Sequence, residues 1–229
     1  MTRQLGVLGM PFERIEAVDG RSLSPREVAR HLRAFKWWCA KGYAARNGEV
    51  GCALSHQLAY RKILSDGVAE ACILEDDVSP GSMFAAMLDA VADFMSASPA
   101  PRVVILTPYS GRGSAKDDGI SFECTDWAAS TGAYALNAAA AEHLLAVNDP
   151  LQSTADDWWR WAKRGGIELY KAWPVVCAQD AYAQQPADPA FASDTIDEGT
   201  VFAKDMPPLR RALHMLGRVV GRSIDAITR

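Results

Sequence analysis

Little in these 229 residues points to a secreted, membrane-spanning or nucleic-acid-binding protein. No basic-then-apolar leader opens the chain, so a cytoplasmic location is expected. The longest uncharged stretch, Trp127 to Ala141, is too short and too rich in Ala, Ser and Thr to span a bilayer. The five cysteines, Cys39, Cys52, Cys72, Cys124 and Cys177, are odd in number and form no CxxC pair. Zinc-ribbon and disulfide scaffolds are thereby disfavoured, and reduced core thiols are expected. A net charge of −4 gives no general case for a nucleic-acid partner. With only His31, His56, His143 and His214, a metal-dependent hydrolase is short of ligands. Gly48 and Gly51 precede no GK[ST] and make no P-loop, and no internal repeat is present.

What is present suffices for a core: 49% hydrophobic residues, seven of the residues Trp, in a length that suits one domain with an appendage. The most informative stretch is Ala71 to Leu74, an apolar run expected to be a strand buried on both faces. It ends in Glu75-Asp76-Asp77, and Pro80-Gly81 then break the element. Open α/β sheets bind ligands at the carboxyl ends of their strands. Three adjacent carboxylates repel one another unless a cation joins them, and hard oxygen donors suit Mg²⁺ or Mn²⁺. A solvated acidic turn is the plain alternative.

Along the chain, Pro11 to Val18 reads as a strand running into the turn Asp19-Gly20. Ser24-Pro25-Arg26-Glu27 opens a helix, with Ser as N-cap, Pro at N1 and Glu at N3. Trp37, Trp38 and Tyr43 fall in an expected loop, as packing residues or as a sugar-stacking surface. Glu49 to Leu64 and Met83 to Met95 are expected helices, and Val103 to Leu106 a buried strand. Ile120 to Cys124 reads as an edge strand and Ser130 to Leu136 as a Gly-containing strand. Asn137 caps the helix that follows. Ser153 or Thr154 is expected to cap another, placing Asp156 and Asp157 in its first turn. Ile167 to Ala172 and Val175 to Ala178 read as two further strands. After Pro207-Pro208, Leu209, Leu213, Leu216, Val220, Ile224 and Ile227 share one helical face, with arginines on the other. Such a helix suits an anionic membrane surface, or packing on its own domain or on a second subunit.

Gly48-Glu49-Val50-Gly51-Cys52-Ala53-Leu54-Ser55-His56, followed by Ile73-Leu74-Glu75-Asp76-Asp77-Val78, resembles glycosyltransferase family 25. Ala17-Val18-Asp19-Gly20, Gly132-Ala133-Tyr134 and Ser193-Asp194-Thr195 are similar to further landmarks of that family, and the resemblance extends from about Leu5 to about Thr195. It implies a GT-A-like, Rossmann-like α/β fold with a mixed, mostly parallel sheet flanked by helices. On this reading residues 1–203 form the transferase domain and 204–229 a basic amphipathic C-terminal helix.

The resemblance also implies roles. Glu75, Asp76 and Asp77 would hold a divalent cation, Mn²⁺ or Mg²⁺. Gly48, Glu49, Ser55, His56, Asp76, Gly132 and Tyr134 would contact a UDP-sugar donor. Asp157 or Asp156 would be the general base of an inverting hexosyl transfer, with galactose the expected sugar. The acceptor would be a lipooligosaccharide or another saccharide, lipid-linked or not, with the protein peripheral on the inner face of the cytoplasmic membrane. The rival reading is a catalytically degenerate transferase fold that serves as a binding module. One departure stands out: the family's first strand and most of its first helix have no counterpart before Ala17. The expectation is that the natural chain begins upstream of Met1, or that the sheet is rearranged and donor affinity is poor.

Overall fold

The computed structural model describes residue 6 and residues 9–107, 119–163 and 166–179. The boundary expected at 203/204, the basic amphipathic segment and the Ser193-Asp194-Thr195 landmark lie outside the described residues. Two compact units divide the chain: Met1–Ile15, Leu58–Val147 and Asp156–Phe191 form one, and Glu16–Gln57, Asn148–Ala155 and Ala192–Arg229 the other.

The smaller, helical unit begins with a single turn, Gly20–Ser22, capped by the Asp19 carboxylate, which accepts from the Arg21 N–H. Helix α1 (Pro25–His31) has the expected capping box: Ser24 Oγ accepts from the Glu27 N–H, and the Glu27 carboxylate accepts from the Ser24 N–H. Helix α2 (Ala34–Lys41) occupies the stretch expected to be a loop. It buries Trp37 completely and stops at Gly42, whose φ of 80° suits glycine. Helix α3 (Asn47–Ser65) agrees with the sequence reading. Trp37, Val50, Ala53, Leu54, Leu151 and Ala155 form the core of this unit. Leu151 is held by the backbone as well: its N–H donates to His31 O at 2.7 Å, and its carbonyl accepts from Arg33 N at 2.8 Å. Pro11 to Val18 forms no regular strand, contrary to the pattern.

The larger unit is built on a five-stranded sheet of β1 (Glu70–Leu74), β3 (Arg102–Ile105), β4 (Ser121–Cys124), β5 (Ala133–Asn137) and β6 (Glu168–Trp173). Their order is β1-β5-β3-β6-β4, one unbroken ladder. The mixed α/β class agrees with the sequence reading, but the pairing is mostly antiparallel rather than mostly parallel. Only β3 and β6 run parallel, while β5 runs antiparallel to both its neighbours. A second correction concerns β1. It closes one end of the ladder, and all five of its residues are half-buried rather than buried on both faces. Strands β2 (Val78–Pro80) and β7 (Cys177–Gln179) form a separate antiparallel pair.

Alternation along the strands divides the core of this unit in two. Val103, Ile105, Tyr134 and Leu136 pack with Trp158 and with residues of helix α5 (Ala138–Asn148). Val104, Ala133 and Ala135 pack with Phe84, Met87, Val91 and Met95 of helix α4 (Phe84–Ser96). Fully burying a large side chain of this kind contributes roughly 1.5–3 kcal/mol. All five cysteines are unbridged. Burial pushes the Cys72 thiol well up, with repulsion from Cys177 adding, and holds Cys177 at about 12, so both are inert core thiols. Cys124, by contrast, is exposed on β4.

Candidate functional site

The acidic triplet follows β1 directly and is tied to the sheet. The Glu75 N–H donates to Gly132 O at 2.8 Å, which extends the β1–β5 ladder by one residue, and Val78 N returns to Glu75 O at 3.3 Å to close the turn. The Glu75 carboxylate accepts from Thr131 Oγ1 at 2.6 Å. Its other oxygen and both oxygens of Asp77 converge on one amide nitrogen, Gln179 Nε2, at 3.4, 3.3 and 3.1 Å. Asp76 is exposed in the same turn. Burial pushes the Asp77 carboxyl above its ordinary value, and repulsion from Glu75 and Asp76 adds, while the Gln179 hydrogen bond opposes both. Anionic oxygens brought together and drawn out of water in this way repel one another, and a hard cation relieves such repulsion.

The loop before β5 supports this turn. Ser130 has a φ of 71°, costly for a residue with a Cβ, on the order of 1–3 kcal/mol. Its carbonyl accepts from Trp158 Nε1 at 2.8 Å, and its hydroxyl donates to Gln179 Oε1 at 2.7 Å and accepts from Gly132 N at 2.9 Å. A Cβ on Gly132 would lie 2.6 Å from Gln179 Oε1, so the absence of a side chain at 132 makes room for the glutamine. Neither Ser130 nor Gln179 carries a local signal of this role. The relation of Gln179 to the triplet is set by the pairing of β2 with β7, and that of Ser130 by the pairing of β1 with β5.

The other expected donor contacts have different surroundings. Tyr134 is fully buried, its hydroxyl 2.9 Å from that of Tyr60 and its ring edge-on to Trp158 at 5.1 Å, so it supports the fold from inside the core. In the helical unit, Glu49 accepts from the Tyr43 hydroxyl and from Arg46 N at 3.0 Å, fastening the start of α3. Ser55 Oγ accepts from Val18 N at 2.9 Å and donates to Gly51 O at 2.8 Å. Gly48 begins that helix beside Asn47, whose carbonyl oxygen would lie 2.0 Å from a Cβ on Gly20. His56 is buried on α3. Much of the GEVGCALSH signature therefore builds the contact between α3 and the Val18–Gly20 turn.

Asp156 and Asp157 precede helix α6 (Trp158–Lys163) rather than occupying its first turn. Ser153 and Thr154 do not cap it. The helix starts at Trp158, so both lie too far upstream to reach its first N–H groups, and the Thr154 hydroxyl accepts from Lys41 Nζ at 2.9 Å. Asp157 stands directly before α6, its carbonyl accepting from Arg160 N at 2.9 Å. The Asp157 carboxylate pairs with Arg160 Nε at 3.0 Å, and both side chains are under 10% exposed, at 5% and 8%. Asp156 is exposed. The two carboxylates thus differ in kind, one locked in a buried ion pair and one open to a ligand in solvent. Breaking a buried pair from one side costs about 3–5 kcal/mol. Asp157→Ala should therefore lower the urea midpoint sharply, whereas Asp156→Asn should leave it within experimental error. An Asp157→Ala protein as stable as the wild type would remove the structural role assigned to the pair.

A mixed α/β sheet flanked by helices, with a clamped acidic turn at the end of one strand, is compatible with a Rossmann-like glycosyltransferase fold. The sequence profile described as Glycosyltransferase family 25 (LPS biosynthesis protein) matches residues 1–159. The chain belongs to glycosyltransferase family 25. A Bos taurus protein described as "Probable inactive glycosyltransferase 25 family member 3" is 32% identical over 101 residues, 43% of this chain and 16% of that protein. The match thus spans about a sixth of that relative's length. Among the described residues, no helix is long and apolar enough to cross a membrane.

Proposed function

We propose that this protein transfers a hexose, galactose from UDP-galactose being the first candidate, to a hydroxyl of a lipooligosaccharide or other saccharide acceptor with inversion. The observation that carries the reading is the convergence of Glu75 and Asp77 on one point, held by Thr131 and Gln179 at the end of β1. The donor set fits Mg²⁺ or Mn²⁺, since it consists of hard anionic oxygens. Glu75 and Asp77 would hold the ion, with Asp76 facing solvent at the same turn. A divalent cation held there would neutralise negative charge on the departing diphosphate.

In the transfer, the acceptor oxygen forms a bond to the anomeric carbon as the bond from that carbon to the diphosphate oxygen breaks. The proton of the acceptor hydroxyl passes to a carboxylate, and no covalent sugar–enzyme intermediate forms. Asp156 is the better placed of the two candidates, because it is exposed while Arg160 engages Asp157. Asp157 then fixes the start of α6 and the backbone from which Asp156 projects. The basic segment 204–229 is assigned to an anionic membrane surface where lipid-linked acceptors reside.

A second reading has one specific support, the relative described as inactive. It makes this chain a transferase-fold binding module that holds nucleotide or saccharide without turnover. Incubation with a panel of UDP-sugars and saccharide acceptors, with Mn²⁺ or with excess EDTA, separates the two. The transferase reading expects UDP release that needs both acceptor and cation. Cation-dependent UDP binding with no release above the buffer rate selects the binding module. Absence of UDP binding under every condition would sink both.

A further inference from the structure

We infer that Gln179 is the positioning residue of the acidic turn and supplies an oxygen to a divalent cation by turning its amide over. The inference rests on the cation-site reading given above and adds a residue from a distant strand. Three observations lead to it. First, Gln179 Nε2 is the common neighbour of the Glu75 and Asp77 carboxylates, at 3.1 to 3.4 Å. Those contacts lie at or beyond the long end of N–H···O hydrogen bonds, so the amide holds the carboxylates loosely. Second, the other end of the amide is anchored: Gln179 Oε1 accepts from Ser130 Oγ at 2.7 Å. Ser130 is itself fixed by a left-handed backbone and by the hydrogen bond from Trp158 Nε1. Third, β7 is registered on β2 so that Gln179 pairs with Val78, the residue after the triplet.

A hydroxyl both donates and accepts, and an amide presents N–H on one side and a carbonyl oxygen on the other. Rotating the Gln179 amide by a half-turn therefore keeps a bond to Ser130, now as Nε2–H to Oγ. The same rotation aims Oε1 at the place where the two carboxylates meet. With no cation, N–H groups facing that place partly neutralise the carboxylates. With a cation, the amide oxygen joins them as a third hard donor. A Cβ on Gly132 would lie 2.6 Å from Oε1 and 3.0 Å from Nε2, so glycine there leaves the amide its place in either orientation.

The test is Mn²⁺ titration of the full chain by calorimetry, with electron paramagnetic resonance counting free Mn²⁺. Gln179→Met keeps the length of the side chain and has no amide. Gln179→Glu keeps an oxygen at the same reach and loses the N–H. The inference expects Gln179→Met to weaken Mn²⁺ binding about tenfold and Gln179→Glu to bind at least as tightly as the wild type. A spacer acting only through its N–H groups would instead make Gln179→Glu as weak as Gln179→Met, which would overturn the oxygen-donor role. Wild-type affinity in Gln179→Met would overturn it as well. Asp77→Asn serves as the control for the underlying reading. If it too binds Mn²⁺ like the wild type, the acidic turn is not a cation site and the inference falls with it. If Asp77→Asn loses Mn²⁺ while Gln179→Met does not, the site stands and the role of Gln179 alone is refuted. Circular dichroism melts accompany each variant, and Ser130→Gly, which removes the anchor and relieves the backbone, should reproduce the weakening of Gln179→Met if either glutamine variant fails to fold.

Discussion

Asp77→Asn should weaken UDP binding in the presence of Mn²⁺ by about a hundredfold, or roughly 2.8 kcal/mol, and excess EDTA should do the same to the wild type. Stability should move the other way. Burial holds the Asp77 carboxyl above its ordinary value in the folded protein, so the charged form is disfavoured there. A carboxyl raised by folding contributes stability that is fully present below the unfolded pKa, near 4, and lost as pH rises through the folded value. At pH 7 without a divalent ion, Asp77→Asn should therefore melt no lower than the wild type. The gap between the two should close below about pH 4. A residue whose removal destroys binding while sparing or raising stability is one kept for its chemistry. Calorimetry with UDP and melts at pH 3.5 and 7 measure both quantities. Undiminished UDP affinity in the variant, with Mn²⁺ present, would remove Asp77 from the site.

Gly51→Ala should damage the helical unit severely. A Cβ at 51 would lie 2.6 Å from Val18 O and 2.7 Å from Gly20 N, both of them backbone atoms that cannot swing aside. Gly20 is notched in the same way, its Cβ position 2.0 Å from Asn47 O. Overpacking of this kind costs about 1–3 kcal/mol, occasionally more. Moving the turn away would also break the hydrogen bond from Val18 N to Ser55 Oγ. Against a net stability of about 5–15 kcal/mol for a typical domain, that is a large fraction. Gly119→Ala is the matched control, with nothing within 4 Å of its Cβ position. Urea denaturation and limited proteolysis should show a lower midpoint and early cleavage for Gly51→Ala alone. Equal midpoints for the two variants would show that the turn does not rest on α3 in solution as it does here.

The signals that were legible in the sequence are local ones. The capping box at Ser24 and Glu27, the helical spacing of α3 and the apolar run of β1 each depend on residues a few positions apart, and each forms where expected. Helix α2 was hidden because Trp37 resembles a loop aromatic until Leu151 and Val50 provide a core for it. The start of α6 differs from the expected one because Ser153 and Thr154, sound caps by composition, lie upstream of the turn that Asp157 closes by accepting from Arg160 N. Strand direction was beyond reach for a deeper reason. Apolar runs say that a strand is buried, and nothing in Ala133–Asn137 itself states that both its neighbours run the opposite way. The candidate site divides along the same line. The carboxylates were visible as a contiguous triplet, whereas Gln179 lies over a hundred positions away and meets Asp77 only through the pairing of β2 with β7.

Strand β5 carries small residues, Ala133 and Ala135, toward one half of the core and large ones, Tyr134 and Leu136, toward the other. A slip of one position would exchange the two sets, crowding tyrosine against Phe84 and Met87 and leaving voids beside Trp158. The strand therefore has a single reading, like a key cut differently on its two edges. Because Gly132 adjoins it and receives the Glu75 N–H, the same cut fixes how far the acidic turn stands from Ser130. Bulk at the centre of the protein thus sets the gauge of chemistry at its surface, and drift in the volumes of Ala133 or Ala135 would detune the turn without touching any of its polar atoms.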